Sequence, residues 1–264
     1  MRSTQSMRSQ WARRARRPVH WVVLTMLVSQ LVLVGAMPAT AKVPELDHFF
    51  CYKAKGQTIG VKVALQDQFD SHPVVTVVGA PARFCNPVTK VHDNVVTEIR
   101  DPDAHLTFYR IRPVVSSLWS VLVANQFGRQ KLRVGAATEL AVPTFKMLPG
   151  HEPPADLDHF KCHRATGDRV DESVVLKDQF QGAQVRVGAP VLFCNPTLKI
   201  HNGETTKVSH PEAHLTCYRT LPSTPFDKVV PVRNQFGKAK LSLSSPNLLC
   251  VPSLKLAYQP LPAG

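Results

Sequence analysis

The chain has 264 residues, 44% of them hydrophobic, and carries 32 Lys and Arg against 19 Asp and Glu, a formal net charge of +13. Six of the arginines fall within the first seventeen residues, which leaves the rest near +7 with no Lys/Arg-rich tract. A nucleic-acid footprint is thereby excluded, while attraction to anionic cell-surface polymers is permitted.

Taken in chain order, Arg2, Arg8, Arg13, Arg14, Arg16 and Arg17 precede an apolar run from Trp21 to Ala36, and Ala39-Thr40-Ala41 supplies small residues for cleavage. This pattern predicts a signal peptide over residues 1–41, removed on export by the general secretory route. The run is too short and wrongly flanked for a transmembrane helix, so no membrane span is expected after cleavage.

An internal repeat organises the chain beyond Ala41. His48-Phe49-Phe50-Cys51-Tyr52-Lys53 returns at His105 to Arg110, at His159 to Arg164 and at His214 to Arg219. Asp67-Gln68-Phe69 answers Asn125-Gln126-Phe127, Asp178-Gln179-Phe180 and Asn234-Gln235-Phe236. Each copy closes on Cys-x-Pro-x-x-Lys or its relic, at Cys85 to Lys90, Ala141 to Lys146, Cys194 to Lys199 and Cys250 to Lys255. Units one and three share Asp-Gln-Phe with Phe-Cys-Asn-Pro, and units two and four share Asn-Gln-Phe-Gly with Leu-(Ala or Cys)-Val-Pro, so a pair of units has itself been duplicated. The predicted organisation is a first β-domain at 46–147 (half-units 46–90 and 104–146), a Pro-rich linker at 148–156 and a second β-domain at 157–256 (half-units 157–199 and 213–255).

Within a unit, apolar alternation and abundant Val and aromatic residues predict strands, with no amphipathic run of helical length. The fold class is all-β: two tandem pseudo-twofold barrels or sandwiches, each built from two half-units and stapled by disulfides. Period two puts Leu106 and Phe108, or Leu215 and Cys217, on one face and His, Thr and Tyr on the other.

Six cysteines allow 15 pairings. Unit two has lost both of its cysteines, Phe108 and Ala141 standing at their positions. Bridges between units would orphan Cys51 and Cys85, whereas bridges within units orphan nothing. The expected pairs are Cys51 with Cys85, Cys162 with Cys194 and Cys217 with Cys250, each stabilising by roughly 3 to 4 kcal/mol on the chain-entropy model. An even cysteine number and a signal peptide agree on an oxidising compartment, whether secreted, periplasmic or at the cell surface.

The suggestive polar residues read as scaffold. His48, His105, His159 and His214 stand three residues before a cysteine position, which in a strand is the opposite face, so His and Cys cannot chelate together. His92 and His201 are the residual metal candidates, and no metal site is assigned. Asp67 and Asp178 are interchangeable with Asn125 and Asn234 and read as turn formers rather than a catalytic pair. Lys90, Lys146, Lys199 and Lys255 read as strand-end guards of exposed edges. The chain carries no nucleophile elbow, phosphate-cradling loop, zinc-protease motif or calcium loop, so no catalytic residue and no cofactor is assigned. Where the repeats disagree, Trp119 aligns with Lys228, and Trp119 with Leu118 is the candidate binding contact.

His-x-x-Cys-Tyr-Lys, Asp-Gln-Phe, Cys-Asn-Pro-x-x-Lys and Asn-Gln-Phe-Gly together resemble a family of secreted bacterial tandem-repeat domains of unknown function, found mostly in Gram-negative environmental bacteria and often beside cell-surface modules. The resemblance spans Leu46 to Lys255 and carries over no active site. The expectation for the chain as a whole is a non-enzymatic exported module that interacts with a cell-surface polymer or extracellular protein, or has a structural role there. An envelope hydrolase with an inter-domain cleft and an inhibitor of secreted enzymes are the alternatives.

Overall fold

The structure, a computed structural model, describes residues 45–114, 118–154 and 156–262. The expected signal peptide lies outside them. Among the described residues there are sixteen strands and no helix. Unit one supplies β1 (Phe49–Lys55), β2 (Lys62–Gln66), β3 (Val74–Pro87), β4 (Thr89–His92) and β5 (Val95–Thr97). Unit two supplies β6 (His105–Val114), β7 (Trp119–Asn125) and β8 (Gly128–Lys146). Unit three supplies β9 (Phe160–Thr166), β10 (Ser173–Lys177), β11 (Gly182–Pro196), β12 (Leu198–His201) and β13 (Glu204–Thr206), and unit four β14 (His214–Leu221), β15 (Lys228–Asn234) and β16 (Gly237–Pro260).

The first strand and the long strand of each unit pair into one closed antiparallel ring of eight, β1-β3-β6-β8-β9-β11-β14-β16 and back to β1. One further strand of each unit forms a hairpin with the far half of its own long strand and reaches the opposite unit. Thus β2 pairs with β12, β10 with β4, β7 with the end of β16, and β15 with the end of β8. Units one and three clasp each other, as do units two and four.

The halves 46–147 and 157–256 therefore describe the sequence repeat, while in space they interleave within one compact unit. Each half brings only four strands to the ring and would leave β1 and β8 as open edges, whereas joining the halves closes the barrel and removes those edges. The core follows suit. One apolar cluster takes Phe50, Tyr52 and Phe84 from the first half with Leu176, Val187 and Leu249 from the second. The Pro-rich stretch joins β8 to β9, which pair directly at Ala141 and Phe160, so it serves as a strand connector within the barrel.

An eight-stranded barrel has a lumen just wide enough to be filled by side chains, and here the filling is the cysteines. Cys51 bridges Cys85, Cys162 bridges Cys194 and Cys217 bridges Cys250, each pair directly opposed on neighbouring strands. Their Cα atoms lie 4.0, 4.0 and 3.9 Å apart, closer than in most bridges because facing antiparallel residues approach this nearly. Phe108 faces Ala141 at the fourth station of the same layer. All eight residues are fully buried in one cluster.

One step along the alternation, Phe49, Leu106, Phe160 and Leu215 face Pro87, Pro143, Pro196 and Pro252. These residues plug one end of the barrel with apolar side chains. The outer face of the ring is covered too. His105, Thr107 and Tyr109 are at most 2% exposed because the crossing hairpins lie over them. In the even units that hairpin is a tight turn through Gln126-Phe127 and Gln235-Phe236. It closes on Gly128 and Gly237, whose φ angles of 96° and 104° suit glycine alone.

Candidate anion-binding site

The step from the cysteine layer toward the other end of the barrel is chemically opposite. Lys53 faces Arg83, Arg110 faces Glu139, Arg164 faces Leu192 and Arg219 faces Leu248. Lys53, Arg110, Arg164 and Arg219 follow a cysteine position by two residues and Arg83 precedes Cys85 by two, so strand alternation turns all five into the same lumen. Five cations and one carboxylate thus ring the mouth. The mouth opens into a cavity of about 770 Å3 lined by Arg83, Arg110, Glu139, Arg164, Arg219 and the apolar Ile111, Leu192 and Leu248. A second cavity of about 540 Å3, lined by Lys53 and Lys55, shares Arg83, Arg110, Glu139 and Asn247 with it.

The single acid is already engaged, since Arg83 donates to both carboxylate oxygens of Glu139. Arg164 and Arg219 sit opposite leucines, with no acid across the strand pair. A guanidinium keeps its charge at any physiological pH and presents a planar fork that fits a carboxylate or phosphate. Several such groups around one concavity repel each other until an anion enters. The signal for this site is present in the sequence: the sixth residue of the His-x-x-Cys motif is basic in all four units, and period two carries it to the face of the cysteine. Attention to the histidines and the strand-end lysines passes it by.

Those histidines and lysines lie elsewhere, between the ring and its covering hairpins. His48 bonds Gln126 at 2.8 Å, while burial and Lys90 hold its pKa at about 4 and the Gln126 bond opposes the fall. His159 is likewise held at about 4 by burial and Lys199 against the pull of Gln235. His105 and His214 have no hydrogen-bond partner at either ring nitrogen and pack on Phe84 and Phe193. His92 and His201 meet Phe127 and Phe236 edge-on.

The repeated lysines do not guard open edges. Lys90, Lys146 and Lys199 are at most 3% exposed, because the strand ends that carry them are covered by the opposite unit's hairpin. Burial lowers Lys146 and Lys255 to about 8, and their ammonium groups lie 4.8 and 5.1 Å over Phe180 and Phe69.

Asp67, Asp178, Asn125 and Asn234 do cap their turns, accepting from the backbone N–H of Phe69, Phe180, Phe127 and Phe236 at 2.8–2.9 Å. Each also reaches the opposite unit. Asp67 accepts from Asn195 and Asp178 from Asn86, whereas Asn125 donates to Tyr218 and Asn234 to Tyr109. Asp therefore goes with the Cys-Asn-Pro units and Asn with the Val-Pro units, which accounts for the two versions of the repeat.

Trp119 is partly buried, stacked on Phe69 at 4.8 Å and beside Tyr258. Its aligned residue Lys228 lies 4.6 Å over Phe180, the repeat equivalent of Phe69. The neighbouring Leu118 accepts a backbone bond from Leu261 at 2.7 Å. This pair is remote from the cationic mouth in the sense that neither residue lines its cavities.

A family model described as a repeat of unknown function (DUF7450) matches residues 20–133 and again 115–252. No curated protein and no solved structure matches the chain.

Proposed function

The chain belongs to that family of repeats of unknown function, and from its geometry we propose that it is an exported, non-enzymatic binding module whose barrel mouth holds an anionic ligand. The observation that carries this reading is the inward ring of Lys53, Arg83, Arg110, Arg164 and Arg219 around two adjoining cavities of about 770 and 540 Å3, sizes typical of ligand sites. The apolar floor formed by Leu192 and Leu248 accepts the body of a ligand whose carboxylate or phosphate groups meet the rim. An anionic polymer of the envelope presents such groups in series. Three disulfides suit the oxidising space outside the cytoplasm, where that polymer lies. The hydrolase reading has less support, since the mouth offers one carboxylate and Arg83 already engages it.

The test is calorimetric titration with a short polygalacturonate and with a neutral glucan of equal length. The acidic chain binds, and Arg164→Ala with Arg219→Ala weakens it at least tenfold. Removing two exposed lysines outside the mouth, Lys177 and Lys207, changes little. Equal binding of the neutral chain, or equal losses in the two double variants, overturns the proposal.

A further inference from the structure

A second feature stands apart from the mouth. Asp103, just before β6, His105, at its start, and His151, on the connector after β8, bring three ligand-type atoms within 4.8 Å of one another. Asp103 Oδ1 lies 2.5 Å from His151 Nδ1 and 4.0 Å from His105 Nε2. We propose that these three residues bind one divalent transition-metal ion of the zinc type.

Three observations carry this. First, His105 is completely buried, yet neither ring nitrogen has a hydrogen-bond partner, an arrangement that a buried imidazole ordinarily avoids. A metal on Nε2 removes half of that deficit.

Second, the carboxylate is already oriented. Asp103 Oδ2 accepts from the Glu152 backbone at 3.0 Å, and the Asp103 N–H donates to Asp101, which leaves Oδ1 directed at the two histidines. Such outer contacts fix the ligands of metal sites.

Third, among the described residues the cluster occurs at one end of the repeat alone. Unit four retains Glu212 and His214, 3.9 Å apart, but the connector that supplies His151 occurs once. A shared scaffold position has thus acquired a third donor at one place.

Two imidazoles and a carboxylate select zinc, cobalt or nickel over calcium or magnesium, which favour all-oxygen shells. Tetrahedral zinc with bonds of about 2.0–2.1 Å sets its donors roughly 3.3 Å apart, between the 2.5 and 4.0 Å that Asp103 Oδ1 now keeps from the two imidazoles, so small side-chain shifts complete the set. Lys146 is the opposing charge nearby. Its ammonium donates to Gln179 and lies over Phe180.

The experiment uses the tag-free protein, stripped with a chelator and titrated with Co2+ and with Zn2+. One equivalent binds, Co2+ gives the strong visible absorption of a tetrahedral site, and Zn2+ displaces it. His151→Ala, on the connector and outside the core, keeps the fold and weakens binding about a hundredfold, and Asp103→Asn does likewise. His214→Phe, at the equivalent position of unit four, leaves binding unchanged. Unaltered affinity in His151→Ala, an octahedral cobalt spectrum, or no binding by the folded wild type overturns the assignment.

Discussion

His163 Nε2 lies 2.6 Å from Asp67 Oδ2, both side chains wholly buried, with one residue from unit three and the other from unit one. Lys161 stands 4.0 Å from the same carboxylate and 2.6 Å from Asp70. In the opposite latch Asp178 accepts from the neutral Asn86 at 3.0 Å, and the Lys146 ammonium acts on it at longer range. Leaving one partner of a buried ion pair uncompensated costs about 3 to 5 kcal/mol. Asp67→Asn is expected to lose about that much in urea unfolding, and Asp178→Asn clearly less. Equal losses at the two sites contradict the asymmetry.

Acid should weaken the fold in two stages. Burial holds His48 and His159 near pKa 4 and His105 and His214 near 3, against an ordinary 6.5. Between those values the unfolded chain takes up protons that the folded chain refuses, so stability is full above about pH 6.5 and declines as the pH falls toward 4 and 3. Asp67 adds a later loss. Although burial opposes it, His163, Lys161 and Asn195 hold its carboxyl below the usual 3.8. Its contribution is present above 3.8 and disappears as pH falls through the lower folded value. Thermal midpoints measured from pH 7 to 4 should fall steadily, and His214→Phe, which removes two unpartnered buried nitrogens, should flatten the decline. A flat wild-type profile speaks against this.

The fourth station of the lumen can be restored. Phe108 and Ala141 face each other where the other units carry bridges. Phe108→Cys with Ala141→Cys should oxidise to completion during export and leave no titratable thiol in denaturant. The new cross-link offsets the lost phenyl packing by about 2 to 4 kcal/mol. Free thiols, or a shuffled pairing with Cys51, would show that this station is not equivalent to the other three.

Trp119 and Lys228 occupy equivalent places over Phe69 and Phe180. Trp119→Ala should therefore destabilise by about 3 kcal/mol or more, and Trp119→Lys by about 1 kcal/mol less, because a lysine can lie over Phe69 as Lys228 does over Phe180. Thermal unfolding of the two variants distinguishes them. Identical midpoints count against the equivalence.

Strand content, the fourfold repeat and the pairing partners of the cysteines were readable because each leaves a periodic or a missing residue in the chain. The closure of both halves into one barrel was not, since period two in β1 or β6 specifies a buried face without naming the strand beside it. The same blindness hid the cross-unit role of Asp67. Its turn cap to Phe69 is local, but its bonds to His163 and Asn195 span 96 and 128 residues. Lys146 looked like an edge residue because the hairpin that covers its strand comes from unit four. The cationic mouth was legible in principle from Lys53, Arg110, Arg164 and Arg219, though only the closed ring turns four separate strand positions into one site.

The most direct measurement of that site follows the arginine Nε–Hε signals by nuclear magnetic resonance while the protein is titrated with short polygalacturonate. The account predicts that Arg83, Arg110, Arg164 and Arg219 shift together along one saturating curve, while Arg129 and Arg233, outside the mouth, stay in place. Shifts that scatter over the surface arginines, or mouth signals that never move, would contradict it.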